Sequence, residues 1–365
     1  MVDLFFLSSR FILLFERFFK MKIAYIVPSL YNAGPVNVVH DLVEVMIQHG
    51  HQCVVYYFDE MTEQDFPCLT ERISFYSSVS FNEFDVVHTH GLRPNLYVLL
   101  WKPLKTTTNF IATFHNYVFQ DFSYRYSKLK TFFGGYLTLL SVFRHNRVIT
   151  LTGLAMDYYA RWISKKKLCI AYNSRVIDSA LLLSAEEKQK LLDFKGNSLL
   201  MGIHSRIYPL KGIDLLIQAL PYLPDYKLFV AGSGESRQEY TDLAKKCRVE
   251  DRVCFAGRIP FAYRCLPYYD IYALPSRSEG FPLSVLEAAA YGKNIVCSDL
   301  PVFKELYTDA EVAMFELPNI ESLVEAIKKA TATPFYGINA KKKYEQVYSP
   351  EAFYERHLRI YKNDI

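Results

Sequence analysis

The chain has 365 residues, 51% of them hydrophobic and 22% charged, which excludes a disordered or fibrous protein and predicts two domains. Its seven cysteines form no C-x-x-C pair, so reduced thiols are expected in place of a disulfide framework or a zinc ribbon. The formal net charge of +4 lies within residues 1–195, which hold 21 basic and 17 acidic side chains.

Residues 1–20 are predicted to be an extension that precedes the first domain. Apolar side chains recur in it at intervals of three or four residues, which is the spacing of one helical face. These side chains are Leu4, Leu7, Phe11, Leu14 and Phe18. Two interpretations stay open: an amphipathic helix that lies on a membrane, or a start codon assigned upstream of one at Met21.

Residues 21–185 alternate short apolar runs with helical patterns and are predicted to form the first domain. Strands are expected at 22–27, 53–58, 85–88, 110–114 and 148–150, and amphipathic helices at 34–48 and 121–146. The side chains of the first helix that are expected to face inward are Val36, Val39, Leu42, Val43 and Met46. Strands that alternate with helices predict a parallel sheet covered on both faces.

Residues 186–348 repeat this pattern and are predicted to form the second domain. Strands are expected at 199–203, 227–231, 253–255, 270–274 and 294–297, and helices at 213–220, 240–246, 284–291 and 320–330. The polar stretch 184–197 is interpreted as the linker, and 349–365 as a helix that packs back on the first domain. The expected fold class is α/β, with two Rossmann-like doubly wound parallel-sheet domains that face a cleft.

Several phosphate-binding motifs are absent from the sequence. Gly232 and Gly234 follow a predicted strand, but the third glycine of a G-x-G-x-x-G dinucleotide fingerprint would fall on Arg237. The sequence has neither a P-loop nor an Asp-x-Asp pair that would hold a diphosphate through a metal ion. A bound diphosphate would therefore need lysine, arginine, backbone N–H groups and helix N-termini.

The most informative stretch, residues 279–288, reads E-G-F-P-L-S-V-L-E-A. Gly280 and Pro282 keep the backbone in a loop, and a proline suits the start of the helix that follows because it has no N–H to donate. Glu279 would lie on the loop, and Glu287 about one turn into the helix. Two carboxylates that accept from vicinal hydroxyls suit a nucleotide sugar, one for the ribose and one for the hexose.

Through this stretch the chain resembles the retaining glycosyltransferases of family 4, which have the two-domain GT-B fold. Further segments that resemble the family in order and spacing are Ser205–Gly212, Phe229–Glu235, Val253–Gly257, Asp85–His90 and Thr113–His115. The resemblance covers about residues 21–335, nearly the whole predicted fold.

Three positions depart from the family pattern: one is Asn294, where the family often has proline, and the other two touch the expected site. Where the family has a pair of glycines after the first strand, this chain has Ala33 and Gly34. The family's Asn-Gly-hydrophobic-Asp turn reads N-S-R-V-I-D here, over residues 173–178, and is one residue longer and without its glycine. Neither change removes a charged group from the expected site.

The resemblance implies a role for each charged residue of that site. Arg206 and Lys211 would neutralise the charge that grows on the leaving diphosphate. Glu279 and Glu287 would bind donor hydroxyls. His115 would hydrogen-bond a sugar hydroxyl or steady the developing oxocarbenium ion, unless it is a structural histidine.

The implied site residues form two sets. The catalytic set is Glu279, His115, Arg206 and Lys211. The donor-binding set is Gly34, Arg206, Lys211, Gly232, Gly234, Glu279, Gly280, Phe281, Pro282, Leu283 and Glu287. For His88 and His90, structural and acceptor-side roles both stay open.

The resemblance further implies a metal-independent hexosyltransferase that takes a UDP- or GDP-sugar and needs no cofactor. Its acceptor would be a glycan or lipid-linked glycan in bacterial surface polysaccharide synthesis, with the enzyme cytoplasmic or peripheral on the inner face of the membrane. Two alternatives stay open. One is a non-catalytic GT-B-fold partner or glycan-binding protein, and the other is a GT-B-fold epimerase or phosphorylase.

Residues 101–170 carry 11 basic side chains against two acidic ones, Asp121 and Asp157, with 15 aromatic residues among them. Such a stretch suits an anionic membrane surface or the diphosphate of a lipid-linked acceptor. A buried aromatic core with a solvated basic rim is the alternative. Nucleic acid is not an expected partner because no recognised binding motif accompanies the charge.

Overall fold

The computed structural model describes residues 20–364 and divides into two compact units. The first unit takes the described chain up to Leu151, then Ala155–Tyr172 and the segment from Phe353 onward; the second takes Thr152–Leu154 and Asn173–Ala352. Each unit is built on one parallel sheet with helices between its strands, so the predicted α/β class is confirmed. The predicted extension falls on residues 1–20, of which 1–19 lie outside the described residues.

The first unit contains a seven-stranded parallel sheet. Its strands are β1 (Lys22–Val27), β2 (Gln52–Tyr57), β3 (Leu69–Arg72), β4 (Val86–His90), β5 (Asn109–Phe114), β6 (Arg147–Thr150) and β7 (Leu168–Ile170). Their order in the sheet is β3-β2-β1-β4-β5-β6-β7. The helices in this part of the chain are α1 (Gly34–Gln48), α2 (Leu92–Trp101), α3 (Val118–Arg125), α4 (Lys128–Ser141) and α5 (Gly153–Tyr159).

The second unit contains a six-stranded parallel sheet. Its strands are β8 (Leu199–His204), β9 (Tyr226–Ala231), β10 (Val253–Gly257), β11 (Ile271–Leu274), β12 (Asn294–Ser298) and β13 (Ala313–Phe315), in the order β10-β9-β8-β11-β12-β13. Its helices are α6 (Ala185–Lys195), α7 (Ile213–Ala219), α8 (Arg237–Lys246), α9 (Leu283–Ala290), α10 (Pro301–Leu306), α11 (Ile320–Ala332) and α12 (Phe335–Lys343). The last helix, α13 (Pro350–Lys362), belongs to the first unit from Phe353 onward.

Two central strands of the first sheet are buried along their whole length, including the polar side chains His88, Thr89 and His90 of β4. Every residue of β4 and β5 is buried. Apolar side chains of α1 pack towards the sheet, and the inward residues predicted for this helix, from Val36 to Met46, are all buried. Hydrophobic periodicity therefore identified the buried face of α1 correctly.

Each sheet reverses its strand order at one place. In the first unit this place is between β1 and β4, with Ile23 opposite Val86. In the second it is between β8 and β11, with Met201 opposite Ile271. The loops that leave two such strands diverge, and parallel sheets bind ligands in the crevice that results at their carboxyl ends. In the second unit these two loops carry the predicted charged residues.

The stretch 184–197, which was interpreted as a linker, contains helix α6. The boundary between the units follows Tyr172, whereas the prediction placed it near residue 185. Helix α6 begins at a reciprocal capping box, in which Ser184 accepts from the backbone of Glu187 and the Glu187 carboxylate accepts from the backbone of Ser184. The polar composition of this surface helix is what made it resemble a linker.

The single helix predicted for 121–146 is two helices, α3 and α4. Tyr126 and Ser127 between them have extended backbone angles, which end the first helix and begin the second. The aromatic residues of this region divide as well. Phe110, Phe114 and Tyr159 are buried, whereas six large apolar side chains of α4 are exposed.

Helix α13 packs on the first unit through its aromatic side chains. Tyr361 Oη lies 2.8 Å from His88 Nδ1 and 3.2 Å from Tyr25 Oη, and Tyr354 Oη lies 3.1 Å from His51 Nε2. Within residues 20–364, no helix combines the length and the apolar character that crossing a bilayer requires.

Candidate active site

The Lys211 ammonium and the Glu279 carboxylate form the centre of the candidate site. Lys211 Nζ donates to Glu279 Oε1 at 2.6 Å, and the two side chains are only 19% and 8% exposed. Burial disfavours the charged ammonium, but the carboxylate outweighs burial, and the pKa of Lys211 is raised. Lys211 therefore carries a positive charge at neutral pH.

Gly212 brings the loop after β8 onto the loop after β11. It follows a short 3-10 turn, Pro209–Lys211, and has φ +67°. A Cβ at this position would lie 2.0 Å from the carbonyl oxygen of Pro275. Both the left-handed backbone and this close approach require glycine. Lys211 is consequently fixed beside the loop that carries Glu279.

Arg277 ties the same two loops together. Its guanidinium donates to both carboxylate oxygens of Asp214, at 2.9 and 2.6 Å, and its backbone N–H donates to the carbonyl of Leu210 at 2.7 Å. The hydrogen bond that Arg277 donates to Asp214 raises the pKa of Arg277. Ser276 Oγ donates to Glu279 Oε1 at 2.6 Å. Glu279 is thereby held from the β11 side as well as by the lysine.

Glu287 lies about one turn into α9 and has two partners. Arg175 Nε donates to its Oε1 at 2.8 Å, and His204 Nε2 donates to its Oε2 at 2.7 Å. No side chain of the three is more than 11% exposed. Burial alone would raise the pKa of Glu287, but Arg175 and His204 outweigh burial and lower it. A carboxylate has about four acceptor positions, so an ionised Glu287 can still accept from ligand hydroxyls.

Gly232 and Gly234 let the loop after β9 lie against the backbone of the loop after β8. A Cβ at Gly232 would lie 1.8 Å from the carbonyl oxygen of Ser205, and one at Gly234 would lie 2.1 Å from that of Ile207. The Ile207 N–H also donates to the carbonyl of Ser233 at 2.9 Å. The two glycines thus support the segment that carries Arg206, and their predicted contact with the donor stays a prediction.

Arg206 is the exposed cation of this loop. Its guanidinium lies 5.6 Å from the centre of the Tyr208 ring. It makes no ion pair with any carboxylate in the described part of the chain, and its charge acts on Lys211. A guanidinium in this position can offer two parallel N–H groups to a phosphate.

The remaining predicted loop residues lead into the start of α9. Phe281 and Pro282 are buried, and the Phe281 ring packs 6.2 Å from that of Tyr348. Gly280 and Leu283 are half-buried. The first N–H groups of a helix have no acceptor within the helix, so this end of α9 favours a negative charge.

In the first unit, histidines lie at the carboxyl ends of β4 and β5. His90 Nδ1 lies 2.9 Å from His115 Nε2. His88 Nε2 lies 2.7 Å from Thr113 Oγ1, and its Nδ1 is bonded to Tyr361. Both ring nitrogens of His88 are therefore engaged within the protein, which favours the structural role for this residue.

His115 and Gly34 are the two predicted site residues of the first unit. Burial lowers the pKa of His115 to about 4, so its imidazole is neutral at pH 7. A neutral imidazole offers one donor and one acceptor without adding positive charge. Gly34 is exposed and is the first residue of α1, after an extended Ala33.

Among residues 20–364, one group of histidine and acidic side chains has ligand atoms close enough together for a metal ion. It consists of His40, Asp41 and Glu44, whose ligand atoms lie within 4.8 Å of one another. All three lie on α1, which carries none of the predicted catalytic residues. The carboxylates of Glu279 and Glu287 are each paired with a cationic side chain.

Sequence reasoning missed several residues that organise the site. Arg175 and His204 hold Glu287, while Ser276 and Arg277 position the loop of Glu279. One signal for Arg175 was available, because it lies in the turn that departs from the family pattern. The signal for His204 was a polar residue at the end of an otherwise apolar strand.

Comparison with known proteins identifies the family of this chain. A family model described as glycosyl transferases group 1 matches residues 184–347, which contain Arg206, Lys211, Glu279 and Glu287. An O-antigen biosynthesis glycosyltransferase of Escherichia coli, WclY, is 30% identical over 316 residues, which are 85% of this chain and 89% of that protein.

Two solved structures share the fold. A sucrose-phosphate synthase from Thermosynechococcus elongatus has a TM-score of 0.77 and 16% identity, over 94% of this chain and 99% of that one. HepE from Anabaena, solved with UDP-glucose, has a TM-score of 0.75 and 16% identity, over 94% of this chain and all of that one. These neighbours confirm the expected GT-B fold. Together with the family model and the relative from Escherichia coli, they show that the chain is an enzyme that belongs to the group 1 glycosyltransferases.

Proposed function

We propose that this glycosyltransferase moves a hexose, with retention and without a metal ion, from a UDP- or GDP-sugar to a glycan or lipid-linked glycan of a bacterial cell surface. The observation that carries the proposal is the Lys211–Glu279 pair at the strand-order reversal of the second sheet, with Arg206 on the same loop. The relative WclY, named for O-antigen biosynthesis, supports the polysaccharide setting. HepE, solved with UDP-glucose, supports a nucleotide-sugar donor.

In this proposal Lys211 and Arg206 bind the donor diphosphate. Negative charge grows on the leaving diphosphate as its bond to the sugar breaks, and fixed cations are most effective where charge develops. The raised pKa of Lys211 keeps its ammonium protonated for this task. Arg206 is exposed and can meet a phosphate with two N–H groups.

The two carboxylates bind hydroxyls of the donor. Glu279 accepts from the hexose, and Glu287 accepts from the ribose. The lowered pKa of Glu287 keeps it ionised at neutral pH, so that it acts only as an acceptor. Each carboxylate is also fixed by protein partners, and a fixed acceptor loses less freedom when a ligand binds.

Retention is assigned to a front-face reaction. The bond between the anomeric carbon and the phosphate oxygen breaks while the acceptor oxygen bonds to the same face of that carbon. The acceptor proton passes to the leaving phosphate oxygen, so Glu279 is not assigned as a nucleophile. For His115 the proposal keeps the role that the resemblance implies, a hydrogen bond to the donor sugar. Its neutral ring would not repel a developing oxocarbenium ion.

The test is a transfer assay with purified protein, UDP- and GDP-hexoses and extracts of lipid-linked glycans. Release of nucleoside diphosphate should accompany a new glycan whose anomeric configuration, read by NMR, matches that of the donor sugar. Activity should persist in EDTA. An inverted product would overturn the retaining assignment, and complete loss in EDTA would overturn metal independence.

A further inference from the structure

Helix α4 presents its large apolar side chains to the outside of the first unit. Six of them are between 42% and 68% exposed and recur three or four residues apart, which places them on one side of the helix. They are Leu129, Phe132, Phe133, Tyr136, Leu137 and Leu140. We call this set the α4 face. A helix that packs in the ordinary way would turn such a stripe towards the core.

The inner side of the same helix consists of small residues and the half-buried Leu139, which packs against the core. Gly135, Thr138 and Ser141 are its buried positions. A Cβ at Gly135 would lie 2.1 Å from the Phe119 ring of α3, and one at Gly134 would lie 2.7 Å from the ring of Phe122. The rings of α3 fill the space that larger inward side chains would need. The outward direction of the α4 face is therefore fixed by packing.

Positive charge lies at both ends of the α4 face. Lys128 and Lys130 are exposed in the first turn of the helix, where lysine is unfavourable because it meets the positive end of the helix dipole. Beyond the other end, Lys167 Nζ donates to the carbonyl of Phe143, and Lys165 and Lys166 beside it are exposed. Helix α4 itself contains no acidic residue.

We propose that the α4 face docks on a lipid bilayer that contains anionic lipids. In this arrangement the helix lies in the plane of the interface, its leucine and aromatic side chains enter the acyl boundary, and the lysines at its ends meet lipid phosphates. The inference rests on the proposed function for its purpose, because a lipid-linked acceptor is reached at a membrane surface. The contact itself requires neither donor nor acceptor.

The charges argue for lipid over a second copy of this chain. A symmetric pair of copies would bring the same face together. Since both ends of the face are positive, parallel and antiparallel arrangements of two such helices each set lysines against lysines. An anionic surface meets both ends favourably.

The test is flotation of the full chain with vesicles of phosphatidylcholine, alone or mixed with phosphatidylglycerol. We expect binding to the mixed vesicles that weakens as salt is raised. Replacing Phe132 and Phe133 together by serine should lower vesicle affinity at least about tenfold. Replacing Lys128 and Lys130 by alanine should lower it about tenfold on mixed vesicles and much less on neutral ones.

The control is the pair Phe335→Ser and Ile338→Ser on α12 of the second unit. These side chains are 63% and 60% exposed, which is similar to the exposure of Phe132 and Phe133. The control double variant should bind vesicles as the wild type does. Equal binding by the wild type and the Phe132/Phe133 variant would overturn the proposal. If light scattering shows that the wild type is a dimer and the Phe132/Phe133 variant a monomer, the membrane proposal is overturned in favour of self-association.

The experiment also separates this inference from the proposed reaction. Vesicle binding is measured without donor or acceptor, and transfer is measured separately with a water-soluble acceptor fragment. If the Phe132/Phe133 variant does not float with vesicles but transfers sugar normally to the soluble acceptor, the docking surface is supported. Normal flotation of a wild type that transfers no sugar would overturn the reaction and leave the docking surface in place.

Discussion

Arg175 donates to Glu287 at 2.8 Å, although 112 residues separate them in the chain. The contact joins the turn that follows β7 to the first part of α9, and His204 completes it from the end of β8. Glu287 is thus a buried carboxylate whose charge depends on two buried partners. Removal of Arg175 takes away the guanidinium that balances this charge, and breaking a buried ion pair in this way is among the more destabilising changes that a protein undergoes.

We expect Arg175→Ala to destabilise the second unit by about 3–5 kcal/mol and to weaken donor binding, because Glu287 loses its main counter-charge. Arg175→Lys should recover part of both effects. Urea unfolding followed by circular dichroism, together with titration of the donor, measures the two quantities. The exposed Arg237→Ala serves as control and should change neither. Wild-type stability and affinity in Arg175→Ala would show that the contact does not order Glu287.

For Lys211→Ala we expect transfer to fall by about 10²–10³-fold, the usual effect of removing one group that stabilises transition-state charge. The variant also leaves Glu279 buried without its cation, so its stability is measured in parallel. The double variant Lys211→Ala with Glu279→Gln restores charge balance and should be more stable than Lys211→Ala alone. It should remain inactive. Near-normal turnover in Lys211→Ala would remove the lysine from the reaction.

Arg206→Ala should separate binding from folding. Its guanidinium is exposed, so the free energy of unfolding should change by less than about 0.5 kcal/mol. Donor affinity should fall about tenfold or more, since a charge-assisted contact to phosphate is lost. Arg237→Ala, another exposed arginine of the same unit, is the matched control. If both variants bind donor equally well, Arg206 is not a phosphate ligand.

The buried histidines of the first unit should make it sensitive to acid. Burial lowers the pKa of His145 and of His357 to about 3 and that of His115 to about 4, from an ordinary value of 6.5. At a pH between the folded-state pKa and 6.5, the unfolded chain binds protons at these histidines that the folded unit does not bind. The stability that each neutral histidine provides is therefore complete above pH 6.5 and is lost as the pH falls towards 4 for His115 and towards 3 for His145 and His357.

Protonation of each of these histidines in the unfolded chain should lower the free energy of unfolding by about 2 kcal/mol between pH 7 and pH 5. Urea unfolding followed by tryptophan fluorescence measures it selectively, because Trp101 and Trp162 are the only tryptophans in the sequence and both lie in the first unit. His145→Gln should make the free energy of unfolding depend less steeply on pH than it does in the wild type. The same dependence in both proteins would show that protonation of His145 does not cause the acid sensitivity.

Local patterns were sufficient to predict much of the fold. Helix α1 and the strands on either side of it follow from the spacing of their apolar residues, and the position of Glu279 on a loop follows from Gly280 and Pro282. These features depend on residues that are near one another in the chain. The capped helix α6 was misread because its sequence is polar on most sides, although Ser184 and Glu187 signal its start.

Long-range pairings and the direction of a helical face were beyond such patterns. Nothing near Arg175 in the sequence indicates that its partner is Glu287. In α4 the periodicity shows which side chains share a face, but periodicity is the same whether that face points inward or outward. The rings of Phe119 and Phe122, packed on Gly134 and Gly135, decide the direction, and this contact exists only in the folded chain.

Thermal unfolding of the wild type and of Arg206→Ala with UDP, GDP and ADP would show whether this chain binds a nucleoside diphosphate through Arg206. We expect UDP or GDP, at a hundred times its dissociation constant, to stabilise the wild type by about 2.7 kcal/mol. The same concentration should stabilise Arg206→Ala much less. Equal stabilisation of the two proteins, or none of the wild type by any nucleotide, would contradict a diphosphate site beside Lys211 and Glu279.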